Sequence, residues 1–333
     1  MNWNMKRWAA ELMAEPVKKP MPLLSFPCMQ LMNVTVRQLV ADAALQAEGM
    51  KRVADRVDSS AAVSLMDLSV EAEAFGASIR ISEDEVPTVV GALVTDEEEA
   101  KALNIPAVGT GRTGLCVEAI RQAARMITDR PVLAGIIGPY SLASRLMDVN
   151  EAMILCYDEP ELVHAVMEKT TVFLIEYCQA FRQAGADGVV MAEPLTGILS
   201  PALAREFSHP YVKKIIDAVQ TDDFCVIYHN CGNNVPLMIQ DIYTLGALGC
   251  HFGDAIDMGA VLPQAPGDVL VMGNISPAEQ FRGGTPDSIA AVTRELLASC
   301  GGYPNFVISS GCDVPPLSPW ENIDSFFAAA RGE

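Results

Sequence analysis

The chain has 333 residues, 50% of them hydrophobic and 20% charged, which is ample for a sizeable buried core. A formal net charge of −19 leaves no basic surface to neutralise phosphates, so nucleic acid and anionic membranes are excluded as partners. No apolar run reaches the roughly 18 to 20 residues that cross a bilayer, and no membrane span is expected.

Met1–Lys19 mixes Lys, Arg, Glu and Trp without the continuous apolar stretch or cleavage site of a secretory signal. It reads as a helical extension over residues 1–20, packed on the outside of the domain. Nine cysteines are an odd number in a long chain without an export signal. Reduced thiols and a cytoplasmic protein are therefore expected, and in that compartment a cysteine cluster leans towards metal or catalysis.

Apolar, β-rich runs then recur with room for helices between them. Strands are predicted at Pro22–Phe26, Ala61–Leu68, Val132–Ile137, Gly188–Ala192, Phe224–Tyr228, Gly249–Phe252, Val269–Gly273 and Phe306–Ser309. The clearest helix is Glu159–Ala184, with acid and proline in its first turn and Gly185 just past its end. Strands alternating with helices, and no Ser/Gly-rich linker, predict a single (β/α)8 TIM barrel over residues 21–333. An open doubly wound sheet is the alternative.

Two segments carry chemistry. In Phe224-Cys-Val-Ile-Tyr-His-Asn-Cys-Gly232, an apolar strand ends at His229 and Cys231. Side chains two apart in an extended segment point the same way, so both can reach one ion while Asn230 faces away. In Phe306-Val-Ile-Ser-Ser-Gly-Cys-Asp-Val-Pro-Pro316, a second strand ends just before Cys312. The carboxyl ends of barrel strands share one face, which lets distant residues meet at one metal. Two thiolates and one imidazole form a zinc set with an open fourth place, the signature of a catalytic site. The competing reading is that these are core cysteines and a structural histidine.

Other acids and loops are weaker candidates. Glu193 ends the fourth predicted strand, where it would face the metal as a fourth ligand or as a partner for His229; a conformational or capping role competes equally. Asp254, ending another strand, competes for that role, and His251 reads as a structural histidine. Asp67, Glu71 and Glu73 are candidates for pocket lining or a proton relay. Gly109-Thr-Gly-Arg-Thr-Gly114 matches a dinucleotide fingerprint literally. It lacks a strong preceding strand and a well-placed acidic residue after it, so that reading is set aside.

These segments resemble the uroporphyrinogen decarboxylase superfamily, and within it the zinc-dependent cobamide methyltransferases. The likeness also rests on Asp67-Leu-Ser-Val-Glu-Ala-Glu-Ala-Phe-Gly76, Glu83-Asp-Glu-Val-Pro87, Gly138-Pro-Tyr-Ser-Leu142, Ala184-Gly-Ala-Asp-Gly188 and Ala192-Glu-Pro-Leu-Thr-Gly-Ile-Leu-Ser-Pro201. It implies a (β/α)8 barrel with Zn2+ held by His229, Cys231 and Cys312. It also implies methyl transfer between a corrinoid (cobalamin-type) group on a separate corrinoid protein and a thiol acceptor such as coenzyme M. The superfamily also contains enzymes running the other way, demethylating a methylated substrate onto the corrinoid. The decarboxylases carry an arginine-bearing segment after the first strand, where this chain has Phe26-Pro-Cys-Met-Gln30. They have tyrosine where this chain has Arg145 and histidine where it has Cys312. Asp67 matches the decarboxylases' catalytic aspartate and does not discriminate. Decarboxylation of a polycarboxylate is therefore the disfavoured reading, and a non-enzymatic partner barrel is a third.

Overall fold

The computed structural model describes residues 3–333; Met1 and Asn2 of the expected extension lie outside them. The strands, in chain order, are β1 (Ala62–Val63), β2 (Ser78–Arg80), β3 (Thr88–Val90), β4 (Val132–Ile137), β5 (Gly188–Ala192), β6 (Cys225–Asn230), β7 (Gly249–Phe252), β8 (Leu270–Ile275) and β9 (Phe306–Ser310). β1 and β4 to β9 form one parallel sheet in the order β1-β4-β5-β6-β7-β8-β9, which curls into a TIM barrel with helices outside. From Val132 onward, every expected strand is present with bounds moved by at most two residues.

The first two expected strands are corrected. Ala61–Leu68 yields a ladder only at Ala62–Val63. Beyond it the Gly135 amide donates to the Ser64 side chain at 2.9 Å instead of to a backbone carbonyl. Pro22–Phe26 forms no ladder strand. Pro20 and Pro22 have no N–H to donate, and the Leu23 amide goes to the Ser310 hydroxyl at 3.0 Å. The ring closes through single bonds on either side of this segment: Met21 N–H to the Ile308 carbonyl at 3.0 Å, and Ser60 N–H to the Pro20 carbonyl at 2.9 Å. The exposed antiparallel pair β2–β3 was not among the expected strands.

The helix predicted over Glu159–Ala184 runs from Pro160 to Ala184. Pro160 supplies a pre-set φ at its first turn, and Gly185 ends it at φ 105°, a left-handed conformation that favours glycine.

Side chains alternate along the barrel strands with period two. Val190, Cys225, Ile227, Leu270, Met272 and Val307 form the interior cluster, while Val189, Val226, Tyr228, Val271 and Phe306 pack outward beneath the helices. The N-terminal helix Met5–Ala14 joins the interior group. Its buried face, Met5, Trp8, Ala9 and Leu12, belongs to the same cluster as the inward strand residues. Met5 N–H bonds to Asp222 and the Trp8 indole to the Ser60 carbonyl, each just ahead of a strand. The helix expected on the outside of the domain therefore plugs the mouth at the strands' amino ends.

Candidate metal centre

His229 sits near the carboxyl end of β6, on the inward face it shares with Cys225 and Ile227. Cys231 follows where the strand ends, and Cys312 stands two residues past β9. One donor atom from each of the three lies within 4.8 Å of the other two. Cys312 Sγ is 3.5 Å from His229 Nε2. Zinc bonds of ~2.3 Å to sulfur and ~2.0 Å to nitrogen set a tetrahedral edge of about 3.5 Å between such atoms, so this spacing suits a shared ion. The arrangement is thus what strand alternation predicts, including Asn230 turned away to bond the Tyr228 hydroxyl.

Cys231 and Cys312 share a hydrogen bond, which holds the Cys231 thiol below its usual range and, with burial, pushes Cys312 up to about 12. Leu23, Met66, Leu68, Ala192, Pro194 and the acidic Asp313 complete a cavity of about 70 Å³ beside the three donors. Apart from Asp313 that added wall is apolar, and its size suits a small group.

Behind the donor nitrogen, His229 Nδ1 lies 2.8 Å from His251 Nδ1 and 3.3 Å from the His251 carbonyl. His251 Nε2 is 2.7 Å from Ser309 Oγ, which donates to the Met21 carbonyl at 2.7 Å. His251 and Ser309 are fully buried. The sequence reading left His251 as a structural residue. The available signal was strand register, since His229 and His251 are paired neighbours on β6 and β7 and both face inward.

Glu193 does not line the cavity, although its neighbours Ala192 and Pro194 do. Ala192 is the inward residue at the end of β5, so the next side chain turns outward. The Glu193 carboxylate accepts from the Tyr140 amide at 2.6 Å, the Ser141 amide and hydroxyl, and the Thr196 hydroxyl at 2.8 Å. It caps the first turn of helix Pro139–Met147, where exposed amides favour an anion. Burial pushes its carboxyl up to about 7 against those hydrogen bonds.

Asp67 also turns from the cavity, between Met66 and Leu68 which line it. It pairs with Arg112, whose guanidinium also donates to Glu73 at 2.6 Å and to Ser69 Oγ at 2.8 Å. Arg112 comes from the glycine-rich loop 109–114, in which Gly109 and Gly111 adopt φ of 110° and 57°. That loop delivers a buried cation to Asp67. Glu71 accepts from the Ile137 amide at 3.0 Å, its second oxygen has no partner, and burial pushes its carboxyl up to about 7. Asp254 is exposed beyond β7 and borders a separate open cavity of about 570 Å³ with Asn274, Glu279 and Glu295.

Comparison with known proteins gives three findings. The family described as uroporphyrinogen decarboxylase (URO-D) matches residues 17–332. Among curated relatives, a methylcobamide:CoM methyltransferase of Methanosarcina acetivorans is 26% identical over 270 residues, covering 80% of this chain and 77% of its own. A uroporphyrinogen decarboxylase of Azoarcus sp. is 25% identical over 284 residues, covering 80% and 76%. Among solved structures, a methyltransferase from Methanosarcina mazei superposes with a TM-score of 0.86 at 24% identity, covering 99% of this chain and 98% of that one, and so shares the fold.

Proposed function

From the premise that this chain belongs to the uroporphyrinogen decarboxylase family, we propose that it is a zinc-dependent methyltransferase working between a corrinoid and a small thiol. The observation that carries the reading is the convergence of His229, Cys231 and Cys312. The names of methylcobamide:CoM methyltransferases among the relatives support the corrinoid half. In this reading the corrinoid is borne by a separate corrinoid protein, which the relatives' names support. All nine cysteines are free, in keeping with a reducing, cytoplasmic setting. Among the described residues no helix is long and apolar enough to cross a membrane.

In this proposal, His229 Nε2, Cys231 Sγ and Cys312 Sγ would hold the ion beside the small cavity. Zinc, when bound, supplies Lewis acidity that keeps a coordinated thiol deprotonated near neutral pH. The chain's own part is geometric. The hydrogen bond from Cys312 holds the Cys231 thiol below its usual range. The apolar wall of Leu23, Met66 and Leu68 excludes water and aligns sulfur with the methyl group; alignment contributes much of the acceleration in such transfers. The reverse direction, demethylating a methylated substrate onto the corrinoid, uses the same three residues.

A decarboxylase reading draws on the relatives of that name. It requires cationic groups for a polycarboxylate, and the cavity beside the donors is lined by no Lys or Arg, only by apolar side chains and the acidic Asp313. Metal content and methyl transfer decide between the two. Purified under reducing, chelator-free conditions, the protein is expected to carry about one zinc per chain, as a three-ligand site implies. It is also expected to bleach methylcobalamin in the presence of a small thiol, and Cys312→Ala to lose both properties. A metal-free wild type, or a Cys312→Ala variant that retains zinc and transfer, defeats the proposal.

A further inference from the structure

We infer that His251 is a positioning residue that fixes the tautomer of His229, through a polarised chain anchored on the Met21 carbonyl. The inference rests on the metal reading for its purpose but not for its geometry. The chain has one permitted direction. A carbonyl can only accept, so the single proton of Ser309 Oγ is committed to Met21 O at 2.7 Å. Ser309 can then serve His251 Nε2 only as an acceptor, and that nitrogen, 2.7 Å away, carries the hydrogen. In a neutral imidazole the other nitrogen is a bare acceptor, so His251 Nδ1 faces His229 with a lone pair. His229 Nδ1, 2.8 Å from it, must donate. The His251 carbonyl, 3.3 Å from the same His229 nitrogen, independently demands a donor there.

With Nδ1 protonated, the neutral His229 ring keeps its lone pair on Nε2, the atom 3.5 Å from Cys312 Sγ. The opposite tautomer would point a hydrogen at the thiols and could not bind a cation. Ligating histidines generally give their second N–H to a fixed acceptor, commonly a carboxylate or a carbonyl. Here a second imidazole fills that place, and its own orientation is fixed by a serine on β9. His251 and Ser309 are fully buried and His229 nearly so, so water does not compete for these bonds. Removing the acceptor should loosen the ring and cost zinc affinity by roughly 10- to 100-fold, the range for outer partners of metal ligands.

The test uses full-length protein with 15N-labelled histidine; four histidines give resolvable ring signals. In the metal-free wild type, His229 is expected as the Nδ1–H tautomer and His251 as the Nε2–H tautomer. Zinc affinity is then measured by competition with a chromophoric chelator. His251→Phe is expected to lose affinity by about 10-fold or more, while His251→Asn, whose side-chain oxygen can take the Nδ1 position, keeps most of it. Should His251→Phe not fold, Ser309→Ala serves, with mixed tautomers at His251 and a smaller loss of affinity. An Nε2–H His229 in the wild type overturns the inference, and so does unchanged zinc affinity in His251→Phe and Ser309→Ala. A wild type that shows the expected tautomers but binds no zinc leaves the relay standing and defeats the metal reading alone.

Discussion

Gly253 lies so close to Cys231 that a Cβ added to it would sit 2.5 Å from the Cys231 Cβ. The glycine's freedom is spatial rather than torsional, since it lets the loop after β7 press against the residue that follows β6. Gly253→Ala is expected to push Cys231 away from His229 and Cys312. Overpacking of this kind costs about 1 to 3 kcal/mol, and zinc affinity should fall by about tenfold or more. Chelator competition measures the second effect, and Gly267→Ala, where nothing lies within 4 Å, is the control. Equal affinity in both variants would show that Cys231 does not need that seat.

Arg112→Met should be among the most damaging single changes outside the metal centre. It strands Asp67, which is 7% exposed, without its cation. Breaking a buried pair from one side costs about 3 to 5 kcal/mol, read as a shift in the urea midpoint. Combining it with Asp67→Asn should recover part of that loss. Asp67→Asn alone should leave the zinc content unchanged, since the aspartate serves the arginine; loss of metal in that variant would return Asp67 to the site.

Glu71 gives a pH signature. Its folded-state carboxyl is raised to about 7 by burial. Between pH ~4.3, the unfolded value, and pH 7 the native state therefore holds the extra proton, and stability falls as pH rises through that window. Glu71→Gln cannot ionise and keeps an oxygen for the Ile137 amide. The variant should gain on the wild type from pH 5 to pH 8, with a ceiling of roughly 3 kcal/mol. Unfolding midpoints across that range would show a flat difference if Glu71 stays charged throughout.

Trp8→Ala tests the plug. Trp8 is 4% exposed, in the interior cluster, and its indole bonds the Ser60 carbonyl. Removing it should cost about 3 to 5 kcal/mol, far more than a helix merely resting on an outer wall would lose. A loss under about 1 kcal/mol in urea denaturation would contradict interior packing.

Much of this was legible in the sequence because period two is a rigid constraint. It placed His229 with Cys231 and turned Asn230 away, while apolar, β-rich runs located every strand from Val132 onward to within two residues. The same rule, applied to β5, would have turned Glu193 outward once Ala192 was assigned inward; the sequence reading had no inward anchor on that strand. Pro22–Phe26 looked like a strand by composition, but a ladder needs donors that Pro20 and Pro22 lack. The Asp67–Arg112 pair and the Glu193 cap join residues 45 and 53 apart, and no local pattern announces either contact.

The closure of the barrel has a consequence for assembly. Met21 and Ser309 come from opposite ends of the chain, and the ring is sealed there by isolated bonds instead of a ladder. A folding intermediate still open at that seam would hold the thiols of Cys231 and Cys312 beside an imidazole whose proton is uncommitted. On the zinc reading proposed above, metal capture would then wait for the end of folding. An incomplete barrel would be a poor trap for stray cations, and zinc retention would report that the two termini have met.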